Sequence, residues 1–78
     1  MAIMKLKLGK YQHFKGDFYE VIGVAFHSET LEELVVYRGM HNSEKFGDRP
    51  LFVRPLKMFV EEVEVDGQKV PRFKFVVI

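Results

Sequence analysis

The residues best suited to chemistry form the polar segment His27-Ser28-Glu29-Thr30, which lies between two runs of β-forming residues. A hydrolase or acyl transferase needs a nucleophile within hydrogen-bond reach of its base, and Ser28 directly follows His27. Neighbours on an extended strand point to opposite faces, so this pair can cooperate only if the turn twists the two side chains together. We therefore interpret Ser28 and Thr30 as turn residues that bond local backbone N–H groups, and we predict no catalytic residue.

Three histidines raise the question of a metal site. If the segments around Thr30 form a hairpin, His27 is separated from His13 and His41 by the length of a strand, roughly 25 to 30 Å at ~3.3 Å per residue. One ion cannot bind all three. A site built from His13 and His41 would need a carboxylate such as Asp17, and we favour exposed histidines at strand ends instead. The sequence predicts no metal ligand.

The acidic residues and the glycines do not form a cofactor motif. Glu29, Glu32 and Glu33 lack the alternating carboxylate and glycine spacing of a calcium loop, so we interpret them as a solvated turn. No glycine opens a helix after a strand, which disfavours the phosphate cradles of nucleotide-binding proteins. We predict that the protein has no cofactor.

Two arginines stand out because each ends an apolar strand, where a charged side chain must reach solvent, a carboxylate or a ligand anion. They are Arg38 and Arg54, and an ion pair with Glu20 or Glu29 is the structural interpretation. The alternative is that they anchor a ligand. We predict a ligand-binding face whose candidate residues are His27, Glu29, Thr30, Tyr37, Arg38 and Arg54.

Length and composition limit the classes of protein to consider. The chain has 78 residues, of which 47% are hydrophobic, so we expect one domain, 1–78, with a single small core. Its formal charge of +1 gives no global field to hold nucleic acid. It has no cysteine and no apolar stretch of the ~18 to 20 residues that cross a bilayer. We expect a soluble, cytoplasmic protein without a membrane partner.

Runs of aromatic and β-branched residues separated by turn residues predict an all-β fold. The expected strands are 5–14, 18–27, 33–40, 51–54, 61–65 and 70–75. Pro55 begins one helical turn at 55–59, and the segment 41–50 is a polar, turn-rich loop. Five or six short strands with almost no helical periodicity favour a small, highly curved SH3-like barrel with one short helical turn.

Antiparallel pairing predicts the register of the two hairpins near the N-terminus. A hairpin centred near Thr30 sets Gly23 opposite Tyr37, where an aromatic ring covers the bare backbone of glycine. The same register sets Tyr19 opposite His41, and a turn at Gly16 sets His13 opposite Tyr19. We therefore expect His13, Tyr19 and His41 to lie together at one end of the sheet.

The third hairpin has the clearest turn. Asp66-Gly67 suits a type I′ turn, which pairs Val63 with Val70. In this register opposite charges meet at two further pairs, Glu64 with Lys69 and Glu61 with Arg72. A type I turn with a bulge would shift the pairs by one, and in either case Pro71 argues against a central strand position.

Three segments together resemble the bacterial domain family of unknown function DUF1653. They are HFKGDFYEVIGVAFHSETLEELVVYR, LFVRPLKMF and EEVEVDGQKVPRFKF, within residues 9–75. Two departures are that Phe26 stands where a polar or basic residue is expected and that the loop 42–49 is longer than usual. The resemblance implies a small bacterial domain that stands alone, and it implies no reaction, cofactor or catalytic residue.

We predict a binding module of unknown ligand that has no catalysis of its own. The aromatic residues exceed what one small barrel buries, so some are expected at the surface. With nearby lysine and arginine they are also suited to weak binding of RNA, single-stranded DNA or nucleotides, which is the first alternative. The second is a homodimer that uses the apolar edge 73–78. A protein partner, and a monomer or a homodimer, remain open. A small enzyme is a further alternative, and it would require a depression with two titrating groups of shifted pKa.

Overall fold

Aromatic and β-branched runs form the strands of the protein. In a computed structural model, which describes residues 6–77, most of the predicted elements are confirmed. The predicted strand 5–14 is found from Gly9 onward, and its first residue, Lys5, lies outside the described residues. The elements are β1 Gly9–His13, β2 Phe18–Phe26, β3 Glu33–Gly39, β4 Asn42–Ser43, β5 Gly47–Asp48, β6 Leu51–Pro55, α1 Leu56–Phe59, β7 Glu62–Val65, β8 Gln68–Pro71 and β9 Phe73–Phe75.

Five strands form one antiparallel sheet in the order β6-β3-β2-β1-β9. One side of the sheet, here called the core face, packs against α1. The opposite side, the outer face, leaves Leu51 and Val53 of β6 58% and 61% exposed. The core residues are Tyr11, Val21, Val35, Tyr37, Leu56, Phe59 and Phe73. Four aromatic residues are exposed, as predicted for the surplus: Phe14, Phe18, Phe26 and Phe46.

A β-bulge in β2 makes the predicted register wrong. Val21 pairs with Tyr37, but Gly23 pairs with Val36, because Ile22 is an extra residue in β2. The aromatic ring expected across from Gly23 is therefore displaced by one position. Before the bulge the odd-numbered residues of β2 point to the core face, and after it the even-numbered residues do. Val24 and Phe26 therefore point to the same side as Val21.

The other two predicted pairs at this end of the sheet are also wrong. Tyr19 pairs with Gly39 rather than His41, and Tyr11 rather than His13 pairs with Tyr19. The first hairpin is centred one residue earlier than expected, since the His13 N–H donates to the Asp17 carbonyl and the Gly16 N–H donates to the His13 carbonyl.

The Asp66-Gly67 hairpin is confirmed in its predicted register. Both turn residues have positive φ, 50° and 79°, as a type I′ turn requires, and Val63 pairs with Val70. The predicted Glu61 and Arg72 contact is an ion pair of 3.0 Å. The predicted final strand is divided at Arg72, where the chain leaves β7 and begins to pair with β1 as β9. This change of partner directly follows Pro71, which has no N–H to donate to a ladder.

Closure into an SH3-like barrel is not confirmed. Within residues 6–77 the five-stranded sheet is open, with β6 and β9 as its edges, because β7 and β8 pair with each other alone. The sheet is nevertheless curved, since the Arg54 guanidinium on β6 lies 5.6 Å from the centre of the Phe73 ring on β9. The predicted loop 41–50 contains the short ladder β4 and β5, which the sequence did not indicate. None of the helices in 6–77 is long and apolar enough to span a membrane.

Candidate ligand-binding site

The structure distributes the six predicted ligand-binding residues over three places. His27, Glu29 and Thr30 lie in the turn between β2 and β3. Tyr37 and Arg54 lie on the core face, where Tyr37 is buried. The remaining candidate, Arg38, lies on the outer face, because it pairs with Glu20 and Leu51. The six residues therefore do not share one face.

The predicted turn residues support the backbone of the turn. His27 Nδ1 accepts hydrogen bonds from the N–H groups of Glu29, at 3.1 Å, and Thr30, at 3.3 Å. The Thr30 hydroxyl accepts one from the Glu32 N–H at 3.2 Å, as predicted for that residue. The acceptor in the first half of the turn is thus His27, whereas we predicted Ser28 in that role from the sequence. Because Nδ1 is occupied, this nitrogen of His27 is not available as a base for the Ser28 hydroxyl.

A cluster of aromatic rings surrounds one cation at the other end of the core face. We call it the Arg54 cluster and define it as His13, Tyr19, Tyr37, Arg54 and Phe73. Arg54 Nε donates a hydrogen bond to the Tyr37 hydroxyl at 3.3 Å, and the guanidinium lies over the Phe73 ring. The Phe73 ring centre is 4.9 Å from that of His13 and 5.7 Å from that of Tyr19. These contacts fix the position of the guanidinium.

The Arg54 cation has no carboxylate partner among residues 6–77. The only ion pair in that range joins Arg72 and Glu61, so the predicted pairs with Glu20 or Glu29 are not found for Arg38 or Arg54. The one buried side-chain nitrogen without a partner in that range is Nε of Arg72. Arg54 makes one side-chain hydrogen bond in that range, through Nε, and neither of its terminal nitrogens is a buried atom without a partner, so both reach solvent.

The titratable groups beside Arg54 are shifted toward their neutral forms. Burial lowers the pKa of His13, and the positive charges of Arg54, Arg72 and Lys15 lower it further, against the opposing effect of Asp17. Burial also raises the pKa of Tyr19. Near neutral pH the cluster therefore presents a neutral imidazole and a neutral phenol beside a fixed positive charge.

Part of this cluster was predicted from the sequence, but not its contact with Arg54. The predicted gathering of His13, Tyr19 and His41 is confirmed, because the Tyr19 ring centre lies 6.3 Å from that of His13 and 6.2 Å from that of His41. His13 and Tyr19 were interpreted as strand-end residues rather than neighbours of Arg54. The alternation of β1 could have indicated this, since it places His13 on the same face as the buried Tyr11. No group of three or more metal-ligating side chains occurs within 6–77.

Two grooves border the core face. One, of about 420 Å³, adjoins the Arg54 cluster at His13 and separates β1 from the β7–β8 hairpin. The other, of about 560 Å³, separates the β2–β3 turn from α1, and we call it the turn groove. Its lining includes Phe26, Leu31, Glu32, Glu33, Leu56 and Lys57.

Fold and site together define a small antiparallel β-sheet domain with a cationic aromatic cluster on the concave side. The chain belongs to the family described as protein of unknown function (DUF1653), whose profile matches residues 9–75. Its fold is similar to the crystal structure of a DUF1653 protein from Bordetella bronchiseptica, with 33% sequence identity and a TM-score of 0.83. The similarity covers 96% of this chain and 92% of the other. No curated protein matches the sequence. The predicted family is thus confirmed.

Proposed function

We propose that the protein is a non-catalytic binding module that recognises an anionic group, phosphate or carboxylate, through Arg54. The observation that carries this proposal is a positioned guanidinium without a carboxylate partner in 6–77. Arg54 Nε donates to the Tyr37 hydroxyl, and the guanidinium lies over the Phe73 ring. The two terminal nitrogens of Arg54 therefore remain as donors. A planar pair of N–H donors matches the oxygens of phosphate and carboxylate.

The test is a titration of ¹⁵N-labelled protein with sodium phosphate and with sodium acetate, followed by NMR. We expect shifts at the Arg54 Nε–H and at the amides of His13, Tyr19 and Phe73. Arg54→Gln abolishes them, whereas Arg38→Gln is the matched control, because Arg38 carries the same charge on the outer face. Equal shifts in both variants, or none in the unsubstituted protein, contradict the proposal.

A phosphate could come from nucleic acid or a free nucleotide, and the aromatic rings near Arg54 favour these sources. Tyr19 is half-buried and His41 is exposed, so both have ring surface on which a base can stack. Adenosine monophosphate should then bind more tightly than inorganic phosphate. Short RNA or DNA oligomers should bind with only a modest salt dependence, since few phosphates reach the site. Identical affinities for the mononucleotide and inorganic phosphate would remove this alternative.

Self-association remains a second candidate because β9 is an edge strand. Within residues 6–77 it pairs with β1 on one side only, which leaves its other side for a second copy. Phe73 is nevertheless buried in the core of its own chain and Phe75 packs against that core, so a dimer would have to use mainly backbone hydrogen bonds. Sedimentation at high protein concentration distinguishes one chain from two. We also propose a cytoplasmic, bacterial setting, which the absence of cysteine and the source of the similar structure support.

A further inference from the structure

The turn groove contains two large apolar side chains that the core does not use. Phe26 is 65% exposed and Leu31 is 69% exposed, although both line the groove. Its floor is Leu56, which is only 7% exposed and belongs to the core. An apolar side chain that entered the groove would therefore be surrounded by apolar surface on several sides.

Leu31 occupies a backbone conformation that favours glycine. Its φ is 62°, and its N–H donates to the His27 carbonyl at 2.8 Å, so the turn holds it there. Glycine would form the same turn with less backbone strain. The turn therefore does not require leucine at this position, and the leucine side chain forms one wall of the groove.

The groove is acidic at its rim. Glu32 and Glu33 line it, and Glu29 lies in the same turn, whereas Lys57 is the one cation among the lining residues that the structure describes. These carboxylates form no ion pair within 6–77, where the only pair joins Arg72 and Glu61. A complementary partner therefore combines an apolar side chain with positive charge on either side of it.

We propose that the turn groove docks a segment of another protein in which an apolar side chain is flanked by lysine or arginine. The apolar side chain lies between Phe26 and Leu31 over Leu56, and the flanking cations approach Glu32 and Glu33. Glu32 and Glu33 disfavour an acidic segment by repulsion. This site is at the opposite end of the core face from the Arg54 cluster, so it does not depend on the proposed anion binding.

The experiment is an NMR titration of ¹⁵N-labelled protein with three synthetic peptides. The first, KKLFKK, has an apolar centre and basic flanks. The second, EELFEE, reverses the charge, and the third, KKSSKK, removes the apolar centre. We expect saturable amide shifts at Phe26, Leu31 and Lys57 with KKLFKK alone. Addition of salt should weaken this binding, because exposed charges are screened.

Leu31→Gly separates binding from folding. Glycine accepts the positive φ, so the thermal unfolding midpoint should be unchanged or higher, whereas loss of the leucine wall should weaken KKLFKK binding by about tenfold. The double variant Glu32→Gln and Glu33→Gln should weaken it and reduce its salt dependence. Val53→Thr is the control, because Val53, 61% exposed against 69% for Leu31, lies on the outer face.

Four results would contradict the proposal. It fails if KKLFKK at millimolar concentration leaves the groove amides unshifted, or if all three peptides shift them equally. It also fails if a well-folded Leu31→Gly variant binds as tightly as the original protein. If the same amides shift with protein concentration in the absence of peptide, the occupant is a second copy of this chain rather than a basic segment.

Discussion

The two ends of the core face use similar residue types in opposite ways. In the Arg54 cluster, aromatic rings contact one another and surround a half-buried cation, and Phe73 is only 7% exposed. In the turn groove, Phe26 is 65% exposed and stands among carboxylates. The first end is assembled around one positive charge, whereas the second presents apolar surface with negative charge. Residue type alone therefore does not indicate whether an aromatic stabilises this fold or faces solvent.

The short helix α1 separates the two ends. Phe59 points toward the cluster, where it stacks on Phe73 with ring centres 4.1 Å apart and contacts Tyr11 and Tyr37. Leu56, one turn earlier, forms the floor of the groove. A single helical turn thus supplies both the core beneath the cationic end and the floor of the turn groove.

The largest expected effect compares one phenylalanine from each end. Phe59 is 1% exposed, so Phe59→Ala should lower the free energy of unfolding by about 3 to 5 kcal/mol through lost burial and a cavity. Phe26→Ala should cost less than about 1 kcal/mol, because most of that ring already contacts solvent. Denaturant unfolding measures both. Equal losses would show that the groove end is part of the core.

Substitution of His27 tests whether the β2–β3 turn depends on its side chain. His27→Ala removes the acceptor of two backbone N–H groups and should cost about 1 to 2 kcal/mol in unfolding free energy. His27→Asn should restore part of this, since asparagine accepts hydrogen bonds from the following residues of a turn. A stable alanine variant would mean that His27 is free to serve a ligand instead.

The sequence predicted local structure well where a strong local signal existed. The type I′ turn at Asp66-Gly67 requires positive φ at both residues, and that requirement fixed the register of the whole hairpin. The bulge at Ile22 had a weaker signal, since Gly23 lies inside the strand and a strand glycine often marks a bulge, but the glycine alone does not fix the register. One unrecognised residue was enough to misplace Gly23 and Tyr37.

The candidate site was harder to predict because it depends on contacts distant in sequence. Arg54 and Phe73 meet only when the sheet curves and brings its edge strands toward each other. Arg38 and Arg54 look equivalent in the sequence, yet the pairing of β3 with β6 places them on opposite faces. The sequence shows the alternation along each strand, but it does not show which face of the sheet α1 covers.

The two arginines give the next prediction. Arg54→Ala should cost about 1 kcal/mol in unfolding free energy, which corresponds to one hydrogen bond and a partly exposed cation–π contact. Arg38→Ala should stay within about 0.5 kcal/mol. Thermal or denaturant unfolding resolves the difference. A loss of several kcal/mol at Arg54 would assign it to structure rather than to a ligand.

The smallest expected effect is a pH dependence at the cationic end. The folded protein lowers the pKa of His13 from its ordinary value of 6.5, mainly by burial, so the unfolded chain binds more protons just below that pH. The contribution of neutral His13 to stability is fully present above 6.5 and is lost as the pH falls through the folded pKa. His13→Gln should flatten this part of the profile of unfolding free energy against pH. An unchanged profile would contradict the assignment.

Binding at the two ends of the core face can be mapped on the same labelled protein. One sample receives inorganic phosphate and a second receives KKLFKK, and amide shifts are followed in each. We expect phosphate to shift the amides of His13, Tyr19 and Phe73 and to leave those of Phe26 and Leu31 unshifted. The peptide should do the reverse. Shifts from both ligands at the same end, or shifts from phosphate centred on Arg38, would contradict the division of the core face into an anion-binding end and a cation-binding end.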